Sequence, residues 1–65
     1  SNEEIMAESY GRLAAQELSD KIGRTCRIVS GKKKGRIELD YYVIDDLNDL
    51  LEALAAIKRR KNGGE

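Results

Sequence analysis

The sequence predicts an α+β fold in the order helix, hairpin, helix (α-β-β-α), completed as a two-fold dimer. The two hairpins of that dimer join in one intermolecular four-stranded antiparallel sheet. Three observations predict it. Apolar residues recur at helical spacing over residues 3–22 and again over 44–58, with two alternating runs between them around a Lys-rich turn bounded by glycines. The 65-residue chain carries only sixteen Leu, Ile, Val and Met side chains, a thin supply against an ordering cost of roughly 1.5 kcal/mol per residue. The usual staples of small domains are missing, since there is one Cys and no His. That excludes an internal disulfide and a zinc set and leaves oligomerisation.

The first element is a helix from about Glu3 to Ile22. Met6, Tyr10, Leu13, Ala14, Leu18 and Ile22 recur every three to four residues. Gly11 weakens its middle by up to about 1 kcal/mol, so residues 1–11 read as a fraying lead-in. Gly23 directly after Ile22 reads as a left-handed cap.

The hairpin follows. From Arg24 to Ser30 the pattern alternates, with Cys26 and Ile28 on one face and Thr25, Arg27 and Val29 on the other. Ser30-Gly31-Lys32-Lys33-Lys34-Gly35 is a turn whose glycines can take positive φ. From Arg36 to Tyr42, Ile37, Leu39 and Tyr41 oppose Arg36, Glu38, Asp40 and Tyr42. A lone hairpin is marginal in water and leaves unpaired edges. Pairing two of them across a two-fold axis resolves both problems.

The last element is a helix from about Ile44 to Lys58. Leu47, Leu50, Leu51, Leu54 and Ile57 form one stripe, read as core or dimer seam. Asp45, Asp46 and Asp49 suit the positive end of the helix dipole, and Lys58, Arg59, Arg60 and Lys61 its negative end. Residues 62–65 are a loose tail. The dimer interface is expected to use Ile28, Ile37, Leu39, Tyr41, Leu47, Leu50, Leu51 and Leu54. One domain spans 1–65. The sequence begins without Met, and Ser1-Asn2 reads as the cut end of a longer protein.

Charge divides the chain. Lys plus Arg and Asp plus Glu are 12 each, for a net charge of zero. Between residues 24 and 36, however, six basic residues stand with no acidic one, and residues 37–57 carry six acidic residues with no basic one. The basic set is Arg24, Arg27, Lys32, Lys33, Lys34 and Arg36. Long flexible cations beside a Gly-flanked loop suit phosphates, without any constellation for reading bases. The expectation is phosphate binding without sequence preference and with strong salt dependence. The competing reading is a solvated turn whose lysines keep a sheet edge soluble. Lys58–Lys61 divides in the same way between a solvated helix end and an auxiliary phosphate contact.

Other chemistry is excluded or weak. Without His there is no Ser-His or Cys-His pair, so no enzyme, cofactor or small-molecule substrate is expected. Cys26 reads as a buried small hydrophobe. The three aspartates lack calcium-loop spacing. No apolar run approaches the ~18 residues of a membrane span, and no signal peptide is visible. A cytoplasmic setting is expected. A double-stranded-RNA module is disfavoured by Asp45 and Asp46, which place acid where such folds start their last helix with bases.

The run Leu18-Ser19-Asp20-Lys21-Ile22-Gly23-Arg24-Thr25-Cys26-Arg27-Ile28 resembles the start of the C-terminal dimerisation domain of chromosome-partitioning ParB proteins. Gly31–Gly35 is similar to that family's Lys/Gly-rich turn, and Gly35-Arg36-Ile37-Glu38-Leu39-Asp40-Tyr41-Tyr42 to its second strand. Asp46-Leu47 with Leu50, Leu51 and Leu54 resembles its last helix. The similarity runs from about Leu13 to Ile57. It implies the same helix-strand-strand-helix protomer and intermolecular sheet. It also implies a parent protein of chromosome or plasmid segregation, associated with the nucleoid, whose sequence-reading and CTP-binding domains lie upstream. Some members bind DNA without sequence preference through basic residues of the sheet and turn. Arg27, Lys33, Lys34 and Arg36 fall where the family often has lysines. Thr25 stands where some members have Lys, with Arg24 shifted onto the other face. Val43 replaces a common Ser cap, so Asp45 or Asp46 must substitute. The second hypothesis is a pure oligomerisation domain with no DNA contact.

Overall fold

The computed structural model describes residues 1–59. The basic residues Arg60 and Lys61 and the tail 62–65 lie outside them. Helix α1 spans Asn2–Ile22, strand β1 Cys26–Val29, strand β2 Arg36–Leu39 and helix α2 Ile44–Ala55. The α-β-β-α order and the antiparallel hairpin are those the periodicity predicts.

Helix α1 is continuous from Asn2, with Ser1 as its N-cap. Ser1 Oγ accepts the Glu4 N–H at 3.3 Å, and Glu3 and Glu4 sit in the first turn, where the dipole favours acid. At the other end Gly23 has φ 67°, and its N–H closes on Ser19 O at 2.9 Å. That is the left-handed cap expected after Ile22.

The packing face of α1 differs from the expected stripe. Gly11 and Ala15 are buried, Ala14, Leu18 and Ser19 half-buried, while Met6, Tyr10 and Leu13 lie open. The reason is close approach. A Cβ on Gly11 would stand 3.1 Å from Ile28 Cγ2, so the weak point of the helix is the place where β1 nestles against it. Ser19 Oγ accepts the Cys26 N–H at 2.9 Å, and Ser30 Oγ donates to Ala7 O at 3.4 Å. These contacts lay β1 along α1.

The register pairs Cys26 with Leu39, Arg27 with Glu38, Ile28 with Ile37 and Val29 with Arg36. One face is therefore apolar and turned to α1; the other carries Arg27, Val29, Arg36 and Glu38. The turn corrects one expectation, because Gly23 is the only positive-φ residue described. Gly31 and Gly35 serve close approach instead. A Cβ on Gly31 would collide with the Lys34 carbonyl, and one on Gly35 would stand 3.2 Å from Val29 O.

Helix α2 packs against no other element. Among the described residues, the only buried hydrophobic ones are Ala15 and Cys26. The radius of gyration is 14.2 Å, against about 11 Å for a compact domain of this length. The surface is 6140 Å², against roughly 4,200 Å² for a compact chain of this mass. The surplus exceeds the ~800 Å² per partner of a standard protein interface.

Candidate functional site

Two surfaces stand out: the uncovered apolar residues of α2 and β2, and the charged outer face and turn of the hairpin.

Helix α2 has a strong apolar stripe and no buried residue. Leu47 and Leu50 are half-buried, whereas Leu51 is 52% and Leu54 48% exposed. Ile37 is 64% exposed although it points to the α1 side of the hairpin, because α1 covers β1 and not β2. Ile28 is half-buried beside α1, Leu39 is half-buried on β2, and Tyr41 is open. Within one protomer the structure therefore does not assemble the eight apolar residues expected at an interface. It leaves four of them, Ile37, Tyr41, Leu51 and Leu54, open to solvent and the other four half-buried.

Arg24 joins the end of the hairpin to α2. Its Nη1 donates to Asp46 Oδ2 at 2.8 Å and to Asp40 O at 2.9 Å, and its Nη2 closes on Asp46 Oδ1. Asp46 also accepts the Tyr42 N–H at 3.2 Å, reaching back from the first turn of α2. Val43, the N-cap residue, makes no side-chain cap bond. The cap expected of Asp45 or Asp46 is therefore absent: Asp46 reaches back past the N-cap to the N–H of Tyr42, outside the helix, and ties the approach to α2 rather than its first-turn donors. The hydrogen bond from Arg24 holds the Asp46 carboxyl below its ordinary pKa, against an opposing push from burial, with the Tyr42 N–H helping. Only 15% of the Arg24 side chain is exposed, and its Nε lacks a partner among the described residues. Of the six basic residues expected to meet phosphate, this one is engaged in the fold. Sequence reasoning missed the pair because its members stand far apart in the chain. The remaining signals were an acid in the first turn of a helix lacking a Ser cap and an Arg directly after a helix-ending Gly.

The other basic residues split into two groups. Lys32, Lys33 and Lys34 are exposed in the turn and make no ion pair among the described residues. On the outer sheet face Arg27 Nε donates to Glu38 at 2.7 Å and Arg27 Nη2 to Asp40 at 2.9 Å, while Arg36 Nε donates to Glu38 at 3.0 Å. Glu38 is held below its ordinary pKa by its hydrogen bonds from Arg27 first and Arg36 second. The sheet face is therefore charge-balanced, and the turn carries the surplus. Beside the turn runs an open groove of about 490 Å³, lined by Glu3, Glu4 and Glu8 with Ser30, Gly31 and Lys32.

Cys26 is buried as a free thiol, as expected of a small hydrophobe. Among the described residues no acidic or Cys cluster could hold a metal ion, and no helix is long and apolar enough to cross a membrane.

An exposed leucine helix, a half-covered hairpin and a Lys-rich turn agree with what comparison with known families finds. The family model of the ParB dimerisation domain matches residues 12–55, from the middle of α1 to the last residue of α2. No curated protein and no solved structure matches the chain. The match takes in both strands, the turn and the whole apolar stripe of α2 from Leu47 to Leu54, and on it the chain belongs to the ParB dimerisation domain family.

Proposed function

We propose that this chain is the homodimerisation module of a bacterial chromosome- or plasmid-segregation protein, and that its turn lysines add a sequence-independent contact to the DNA backbone. The observation that carries the first part is the exposed side of the α2 stripe, since Leu51 and Leu54 stay about half exposed in the protomer and a second copy would cover them. The dimer sheet follows from hydrogen-bond logic. Asp40 N–H donates to Thr25 O at 3.1 Å. Bonded pairs therefore alternate as Thr25–Asp40, Arg27–Glu38 and Val29–Arg36, and the backbone groups of Cys26, Ile28, Ile37 and Leu39 turn outward. On β1 that edge lies along α1, where Ser19 takes the Cys26 N–H. On β2 nothing takes it. Two β2 edges meeting across a two-fold axis build the four-stranded sheet, bring Ile37 and Leu39 toward their copies and remove the open edge.

The DNA contact is supported by three lysines per protomer without carboxylate partners among the described residues, six in the dimer. Arg27 and Arg36 lie next to them, engaged by acids, and Arg24 stays in the fold. Glu3, Glu4 and Glu8 discourage phosphate on the α1 side, so the duplex approaches from the outer sheet face. The module works without cofactor or catalytic step, in the cytoplasm and on the nucleoid. The runner-up, an oligomerisation domain with no DNA contact, draws on the balanced charge of the sheet face.

Equilibrium sedimentation with a fluorescent random-sequence duplex tests both parts. A dimer whose affinity for DNA falls by orders of magnitude between about 50 and 200 mM salt supports the full reading, because several counterions are released. A dimer in which replacing Lys32, Lys33 and Lys34 by Ala leaves DNA retention unchanged reduces the function to oligomerisation. A folded monomer at micromolar concentration overturns the architecture.

A further inference from the structure

The outer face of the hairpin contains its own phosphate substitute. Glu38 stands on β2 opposite Arg27 in the register and two residues from Arg36, so its side chain shares a face with both. Its two oxygens are divided between them. Arg27 Nε donates to Oε1 at 2.7 Å and Arg36 Nε to Oε2 at 3.0 Å. Asp40 Oδ1 takes the remaining arm of Arg27 at 2.9 Å. An anion offering two oxygens to a pair of guanidinium groups is the arrangement a phosphodiester makes with arginines.

We propose that Glu38 is a built-in competitor for the DNA backbone, with Asp40 as its auxiliary. It occupies Arg27 and Arg36 and thereby sets how many phosphates the hairpin engages. The inference rests on reading the hairpin as a phosphate contact. In the resting state the hairpin of each protomer shows three cations without an ion pair among the described residues, all in the turn; displacement of Glu38 frees Arg36, and displacement of Asp40 as well frees Arg27 and raises the number to five. The exchange is open to solvent, since the Arg27 side chain is 51% and the Arg36 side chain 64% exposed, and water and salt weaken such pairs. Changing pH near neutrality does not perform it. Two arginines favour the ionised carboxylate, so Glu38 stays charged until the pH falls below the ordinary carboxylate range. Only another anion takes its place. High phosphate density therefore recruits the arginines, whereas an isolated anion meets only the lysines.

The test is a titration of a random-sequence duplex with the full chain at several salt concentrations, comparing wild type, Glu38→Gln, Asp40→Asn and Glu52→Gln. Glu52→Gln removes the same charge from the exposed surface of α2, where no arginine holds the acid. Glu38→Gln is expected to bind more tightly and to steepen the plot of log affinity against log salt by roughly 0.9 for each arginine that reaches a phosphate, with Arg36 freed outright and Arg27 still shared with Asp40. Asp40→Asn gives a smaller change of the same sign, and carries the test if Glu38→Gln does not assemble by sedimentation. Glu52→Gln leaves the slope unchanged. Equal behaviour of Glu38→Gln and Glu52→Gln overturns the inference. If the lysine-to-Ala variant still loses DNA in that case, the phosphate reading stands and only the competitor falls. If neither wild type nor any variant binds at low salt, both fall.

Discussion

The α1–hairpin body and helix α2 reverse the usual relation between hydrophobic signal and packing. Helix α1 has the weaker apolar pattern, yet it docks on β1 through Gly11 and Ala15 with Ile28 between its turns. Helix α2 has the stronger pattern, with five aliphatic residues in one stripe, and it touches no element of its own protomer. Small residues bring a helix and a strand close at little hydrophobic gain. Large ones on an uncovered helix concentrate the gain where a second copy can collect it. The protomer's own fold thus rests on close approach and hydrogen bonds, and the proposed assembly draws on the leucines. Arg24 and Asp46 form the joint between the two regimes.

The sharpest way to break this comparison is to shorten a leucine of α2. Leu51 and Leu54 are about half exposed in the protomer. If that were their final environment, Leu54→Ala would change stability by no more than about 0.5 kcal/mol. Buried in a dimer seam, it costs about 2–5 kcal/mol per protomer, as for other fully packed leucines. Leu51→Ala with Leu54→Ala should therefore dissociate the dimer and, with so little core left, unfold it. Sedimentation and far-ultraviolet circular dichroism over a concentration series measure both effects. A concentration-independent melt that the double variant leaves unchanged would remove α2 from the interface.

The next effect probes the other side. Gly11→Leu forces a side chain into the 3.1 Å approach of Ile28. It improves helix propensity by up to about 1 kcal/mol, yet overpacking of this kind typically costs about 1–3 kcal/mol. A net loss of stability in thermal unfolding is expected, whereas the same change in an exposed helix middle would stabilise. A gain would show that α1 and β1 are less tightly joined than their separation indicates.

The same contrast explains how much was legible in the sequence. The faces of the hairpin were legible because Cys26 and Ile28 on β1 and Ile37 and Leu39 on β2 recur at every second residue; the register was not, since a slip of two residues keeps the same faces. Helix α2 was legible because Leu47, Leu50, Leu51 and Leu54 mark its stripe without ambiguity. The docking face of α1 was not, since Gly11 and Ala15 carry almost no hydrophobic signal while Met6, Tyr10 and Leu13 carry more and lie open. In the charged segment, the basic character of residues 24–36 was visible but its division was not. Arg24 and Lys33 look alike in a string of cations. Only the fold sets an aspartate of α2 against the first and leaves the second in solvent.

The smallest effect addresses the joint itself. The Asp46 carboxyl lies below its reference pKa of 3.8 chiefly because Arg24 hydrogen-bonds to it. A carboxylate whose folded pKa is depressed contributes its full stability above the unfolded value and loses it as pH falls through the folded one. Wild type should therefore hold constant stability from neutrality to about pH 4, then weaken steeply in more acid solution. Glu38, also depressed, acts in the same window, so Asp46→Asn is needed to separate them. The variant should melt lower than wild type at neutral pH, and the gap should close as acid neutralises the wild-type carboxyl. Because Asp46 also accepts the Tyr42 N–H, the start of α2 should loosen first, giving faster amide exchange at Tyr42 than at Cys26. If Asp46→Asn keeps the wild-type acid profile, Arg24 does not hold α2 in place, and the orientation of that helix is set by the partner protomer alone.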